Sequence, residues 1–162
     1  MTGMKAISDE VRFADEMGLL FDGQGFPRIA GRVLGWLLVC DPPEQSLTDL
    51  TAALDISKAS ASTAARLLLH LGVVERAHVT GARGDYVRVI EDVGPRLFRT
   101  RAEFAATLRR TAERGLDSLA GAPAARRARL EQVRRLFAFL EREFARLLER
   151  FEEEEKARRP RG

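Results

Sequence analysis

At 162 residues, with 45% hydrophobic and 31% charged side chains, the chain suffices for one domain with a real core, or a small domain carrying a helical extension. One cysteine excludes an internal disulfide, and two histidines, His70 and His78, are too few for a zinc site. The formal net charge of +3 is unevenly spread: residues 93–162 hold 18 Lys or Arg against 11 Asp or Glu, and residues 1–45 hold 4 against 7.

Residues 7–20 place Ile7, Val11, Phe13, Ala14, Met17 and Leu20 at helical spacing, which predicts an amphipathic first helix. Asp9, Glu10, Asp15 and Glu16 stand where a secretory signal needs an apolar block, so a cytoplasmic protein is expected. The stretch Phe21-Asp22-Gly23-Gln24-Gly25 reads as a break, because two glycines in three residues disfavour a continuing helix. A second helix is expected to begin near Pro27 and run through Ile29, Val33, Leu34, Trp36, Leu37 and Leu38, until Asp41-Pro42-Pro43 stops it. Cys40 ends that helix with no Lys or Arg beside it, and reads as a buried, unreactive thiol. Trp36 reads as core. Arg28 and Arg32 fit either a phosphate contact or an intramolecular ion pair.

Ser46 with Asp49 three residues on gives a capping-box pattern, opening a short helix whose Leu47, Leu50 and Leu54 share one face. Asp55-Ile56 makes a tight turn, Ser57 caps the next helix, and Gly72 ends it after about Leu71. Val73–Val79 and Tyr86–Ile90 read as the two strands of a hairpin around a loop at residues 80–85.

Beyond Gly94-Pro95 the pattern is helical. One helix is expected over roughly 96–119, with Leu97, Phe104, Leu108, Leu116 and Leu119 as its seam, and another from Ala124 to about Lys156. In the last helix Leu130, Val133, Phe137, Leu140, Phe144, Leu147 and Phe151 recur at alternating steps of three and four, with Leu136, Phe139 and Leu148 widening the stripe. That is the period of a helix-pair interface, and we read it as a homodimer contact joined by the helices at 7–20 and 96–119. The acidic run Glu152–Glu155 faces Lys156, Arg158 and Arg159 and reads as a solvated helix end.

Two short helices on a tight turn followed at once by a hairpin is the order of a winged helix-turn-helix. The second helix of the pair offers Ser57, Lys58, Ser60, Ser62, Thr63 and Arg66, short hydroxyls and cations suited to a major groove, and the hairpin tip offers Arg83 to a minor groove. Residues 46–92 as a whole carry 5 cations against 6 acids, but the stretch 57–90 sets Lys58, Arg66, Arg76, Arg83 and Arg88 against only Glu75 and Asp85. The run from Phe26-Pro27-Arg28-Ile29-Ala30-Gly31-Arg32-Val33-Leu34-Gly35-Trp36 to Pro42-Pro43-Glu44-Gln45-Ser46 resembles the N-terminal part of GbsR-type regulators of the MarR superfamily. Leu47–Arg76, ending Leu71-Gly72-Val73-Val74-Glu75-Arg76, is similar to the helix-turn-helix and first wing strand of the same group. The resemblance spans about residues 9–92. It implies a homodimer on operator-like double-stranded DNA, with scope for a small-molecule effector. Asp55 departs from the usual turn glycine, and Gly81-Ala82-Arg83-Gly84-Asp85 departs from the usual wing.

The expected fold is therefore mainly α with a small β-hairpin wing. It comprises an N-terminal dimerisation helix (1–25), a winged helix-turn-helix (26–92) and a C-terminal helical dimerisation region (93–162). No cofactor, metal or membrane partner is expected. An enzyme is not expected either, for want of a nucleophile–base pair or a phosphate-binding glycine loop. The competing reading is a dimeric winged-helix adaptor that docks another protein.

Overall fold

The Ser8 hydroxyl accepts a hydrogen bond from the Val11 N–H at 3.3 Å and so opens α1 (Asp9–Gly23). The computed structural model describes residues 8–158; Ile7 and residues 159–162, including Arg159, lie outside them. The helix runs through Phe21 and Asp22 to Gly23, where the sequence pattern placed a break. Tertiary packing carries it on, because Phe21 lies against Gly31 of α2 (Arg28–Val39), and a Cβ there would meet its ring carbon at 2.8 Å. Gly18, Gly31 and Gly35 let α1 and α2 approach this closely. The turn that follows places Gly25 at φ 78, and Pro27 is the residue before the first turn of α2.

The helix α2 is the spine of the core: Ala30, Val33, Leu34 and Leu37 are all buried. After Cys40 the chain forms a two-residue strand, β1 (Gln45–Ser46), which the sequence pattern did not show. Its existence depends on a distant partner, since Gln45 pairs with Val87 and Ser46 with Tyr86. Gln45 is 5% exposed yet satisfied: its Oε1 accepts from Trp36 Nε1 at 3.0 Å and its Nε2 donates to the Pro42 carbonyl at 2.8 Å.

Ser46 then caps α3 (Leu47–Leu54) in a complete capping box with Asp49. Asp55 takes the left-handed conformation (φ 49, ψ 52), which Asp tolerates better than most residues. Ser57 caps α4 (Lys58–Leu71), and Gly72 ends it at φ 69, a conformation a side chain would strain. Leu50, Leu54, Leu68 and Val73 close the core with Val33 and Leu34, each at 1% exposure or less. Truncating one of these leucines to Ala costs about 2–5 kcal/mol.

The strands β2 (Val74–Ala77) and β3 (Tyr86–Val89) are shorter than the β-branched runs predicted, and pair antiparallel with Val74 opposite Val89 and Ala77 opposite Tyr86. The sheet order is β1-β3-β2.

The chain divides at Val93 and Gly94 into two compact units. In the second, α5 (Val93–Ser118) begins three residues before the predicted start and takes Gly94 and Pro95 into its first turn, where a missing N–H costs nothing. The last helix, α6 (Ala124–Arg158), runs two residues beyond Lys156. These two helices form an antiparallel hairpin. Arg99 pairs with Glu152 at 2.7 Å and Arg109 with Glu141, while the rings of Phe98 and Phe144 and of Phe104 and Phe137 meet edge to face at 5.2 and 6.3 Å. Among the described residues no helix is long and apolar enough to cross a membrane.

Candidate nucleic-acid interface

The left-handed Asp55 and the Ser57 cap set the geometry of the α3–α4 turn, and with it which side of α4 meets solvent. Ser57 Oγ accepts from the Ser60 N–H at 3.1 Å and donates to Ser60 Oγ at 2.9 Å. Both hydroxyls are thus committed to the helix start. Ala61, Ala64, Ala65 and Leu68 face the core. Lys58, Ala59, Thr63, Arg66 and His70 are exposed, and Ser62 is half-buried on the shoulder between Lys58 and Arg66. Arg66 Nη2 donates to Thr63 Oγ1 at 3.4 Å. Ser60 lies on the opposite shoulder, beside a cleft of about 330 Å³ lined also by Pro27, Ile29, Ala30, Ala59, Thr63, Ala64 and Leu67. The sequence pattern grouped Ser60 with Ser62 and Thr63; the helix separates it from them. It also passed over Ala59 and His70, each four residues from Thr63 or Arg66 and so on the same face.

On the hairpin the cations are not equivalent. Arg88 Nε donates to Glu75 Oε1 at 2.8 Å and its Nη1 to Glu44 Oε1 at 3.4 Å, and Arg76 meets Asp85 at 3.3 Å. The bond to Glu75, and then that carboxylate's charge, push the Arg88 pKa further up, so it is a permanent cation already neutralised. Arg83 is exposed between Gly81 (φ 83) and Gly84 (φ 132), in the loop that joins β2 to β3. Of the five cations in residues 57–90, therefore, Lys58, Arg66 and Arg83 carry no ion pair among the described residues.

Elsewhere the sequence candidates divide. Arg32 forms the intramolecular pair, with Asp15, while Arg28 is exposed and lays its stem along Gly18. Trp36 packs against the core and donates to Gln45. Burial, then the charges of Asp41 and Glu44, push the Cys40 thiol up, away from the thiolate. In α6 no residue is fully buried. Leu130, Val133, Phe137, Leu140 and Phe144 are half-buried, whereas Leu136 (51%), Phe139 (50%), Leu147 (49%) and Phe151 (45%) stay exposed. On α5 the buried positions are Ala105, Ala112 and Leu116; Leu97 and Phe104, expected in the seam, are exposed at 37% and 63%. A small-residue seam brings the helices together there, and the larger rings are pushed to its edge. The other expected partner of this stripe, α1, buries Ala14 and Gly18 against α2.

A two-helix turn with a three-stranded wing, followed by two long helices, is an arrangement with known relatives. The HTH-type transcriptional regulator MmpR5 of Mycobacterium tuberculosis is 41% identical over 138 residues, 85% of this chain and 84% of that protein. This chain belongs to the MarR family of transcriptional regulators. The MmpR5-like description within that family matches residues 92–154, covering all of α5 and most of α6. A crystal structure of a transcriptional regulator superposes with a TM-score of 0.81 at 38% identity, covering 90% of this chain and 99% of that one. The MarR family expected from residues 9–92 is thus shown; the description that matches within it is MmpR5-like, and the GbsR-type subgroup is not shown. Its members are DNA-binding regulators, not enzymes.

Proposed function

We propose that this MarR-family regulator works as a homodimer on an inverted-repeat operator in the cytoplasm, in the manner the GbsR-type resemblance of residues 26–76 implies. In this reading α4 enters the major groove with Ser62 and Thr63 toward the bases, Lys58 and Arg66 toward the phosphates, and Ser57 and Ser60 holding the helix start. Arg83 reaches the neighbouring minor groove. The observation that carries the reading is the distribution of unpaired charge: among the described residues Lys58, Arg66 and Arg83 stand without acids while Arg76 and Arg88 are neutralised on the wing. A surface kept for anions should hold its cations free.

The exposed stripe of Leu136, Phe139, Leu147 and Phe151 supports a second copy as the partner of α6, because side chains this large are a liability on a monomer. An apolar cleft of about 350 Å³, lined by Gly94, Pro95, Phe98, Leu147, Leu148 and Phe151, is large enough for a small effector and holds no charged side chain, which suits an apolar molecule.

The test is fluorescence anisotropy with a duplex spanning the regulator's own promoter and a scrambled duplex of equal length. Tighter binding to the promoter, lost in the Ser62→Ala, Thr63→Ala double variant, is expected. Equal binding to both duplexes would overturn sequence reading by α4, and no binding to either would favour the adaptor.

A further inference from the structure

Of the two arginines on α2, Arg28 is exposed and Arg32 is turned inward, with its side chain 17% exposed. Its guanidinium spans three elements. Nε donates to Asp15 Oδ1 of α1 at 2.6 Å, and Nη2 donates to the carbonyl of Leu54, the last residue of α3, at 3.1 Å. That carbonyl is one of the helix-end acceptors that has no partner within its own helix. It immediately precedes Asp55, the left-handed residue from which the chain turns into α4.

The route of the side chain is built in. A Cβ on Gly18, one turn beyond Asp15 on α1, would stand 2.6 Å from Arg32 Cγ. The bare glycine opens the channel that the arginine stem occupies, and Asp15 then supplies the charge that makes a largely buried guanidinium tolerable. Only arginine fits this task. Its planar fork donates in two fixed directions at once, whereas a lysine ammonium is a single point on a flexible stem.

We propose that Arg32 is a positioning residue for operator reading: it fixes the end of α3 against α1 and so sets the direction in which α4 leaves the turn. The proposal rests on the reading of α4 as the DNA-contacting helix. Arg32 touches no phosphate in this scheme; it acts through the Leu54 carbonyl and the Asp55 turn. Its loss should therefore blur discrimination between sequences and leave the electrostatic part of binding intact.

The experiment compares the full-length protein with Arg32→Lys, Asp15→Asn and the Ser62→Ala, Thr63→Ala double variant. Each is titrated onto the promoter and scrambled duplexes over a salt series, with circular dichroism and thermal midpoint as fold controls. For Arg32→Lys the promoter-over-scrambled affinity ratio should fall roughly three- to tenfold, the size of one ordinary hydrogen bond, while the salt slope stays as in the parent. An unchanged ratio in Arg32→Lys, beside a reduced one in the double variant, overturns the positioning role and leaves the α4 reading standing. An unchanged ratio in the double variant overturns the α4 reading and this inference with it. Should Arg32→Lys fail to fold, Asp15→Asn decides: a reduced ratio supports the role, and a parental ratio overturns it.

Discussion

Glu75 on β2 sits directly opposite Arg88 on β3, and the two are joined at 2.8 Å across the wing. The pair removes from service a cation that a charge count assigns to DNA. Arg83, in the loop that joins the two strands, has no acid partner among the described residues, and the two arginines should separate cleanly on replacement.

Arg83→Ala is expected to weaken binding to promoter and scrambled duplexes alike and to make the slope of log K against log salt shallower by about one. Arg88→Ala should leave that slope nearly unchanged. Salt titrations of the three proteins on one duplex check this, and equal slopes for parent and Arg83→Ala would count against the wing contact.

Thr63 is exposed on α4 and Ser62 half-buried on its shoulder, and neither is among the buried residues of that helix. Replacing both by Ala should cost roughly 1–3 kcal/mol at the promoter site with no loss of thermal stability. A parallel fall on scrambled DNA would show that these hydroxyls seat the helix without reading bases.

The capping box at the start of α3 is a purely local device. Asp49 Oδ2 accepts from both the N–H and the hydroxyl of Ser46, at 2.8 and 2.6 Å, and Ser46 Oγ accepts from the Asp49 N–H at 3.1 Å. Ser46→Ala should destabilise the protein by about 1 kcal/mol, read as a lower denaturation midpoint in urea at unchanged slope. A midpoint identical to the parent's would mean that water replaces the cap at no cost.

The exposed flank of α6 gives a test of the dimer that spares the hairpin. Leu136→Glu with Phe139→Glu should convert a dimer to a monomer in light scattering at micromolar concentration, while helicity is kept, because both side chains are already half exposed. Deleting the chain from Ala124 onward is harsher. It strips Phe98 and Phe104 of their ring partners and should yield monomer or aggregate with weak DNA binding. A monomeric full-length protein would end the homodimer proposal.

Cys40 offers a pH readout. Burial raises its pKa, so the thiolate forms only at higher pH than in a free cysteine, whose ordinary value is about 8.5. Alkylation by iodoacetamide at pH 8 should be slower than for free cysteine and rise with a midpoint displaced upward. The same sign makes the native protein lose this group's contribution to stability as pH climbs through the raised value, since the unfolded thiol ionises first. A midpoint at or below the free value would show an activated thiol.

The sequence by itself determined the devices whose parts lie within a few residues of one another: the Ser46–Asp49 box, the left-handed Asp55, the Ser57 cap and the Gly72 stop. Each works through backbone groups of its own turn, so residue type and spacing suffice. The apolar period of α2 and α4 likewise announced which faces form the core, and the order of elements announced a winged helix-turn-helix. Tertiary structure decided everything that depends on partners far along the chain. Gln45 becomes a strand residue because Val87 comes to lie beside it, and α1 continues past Phe21 because Gly31 leaves room for the ring. The stripe on α6 is shared between α5 and solvent because antiparallel pairing covers one flank and leaves the other bare. Arg32 and Arg88 look alike in sequence to Arg66 and Arg83, which have no acid partner among the described residues. Their acids lie 17 residues away in Asp15 and 13 residues away in Glu75, and only folding brings those charges within hydrogen-bond reach.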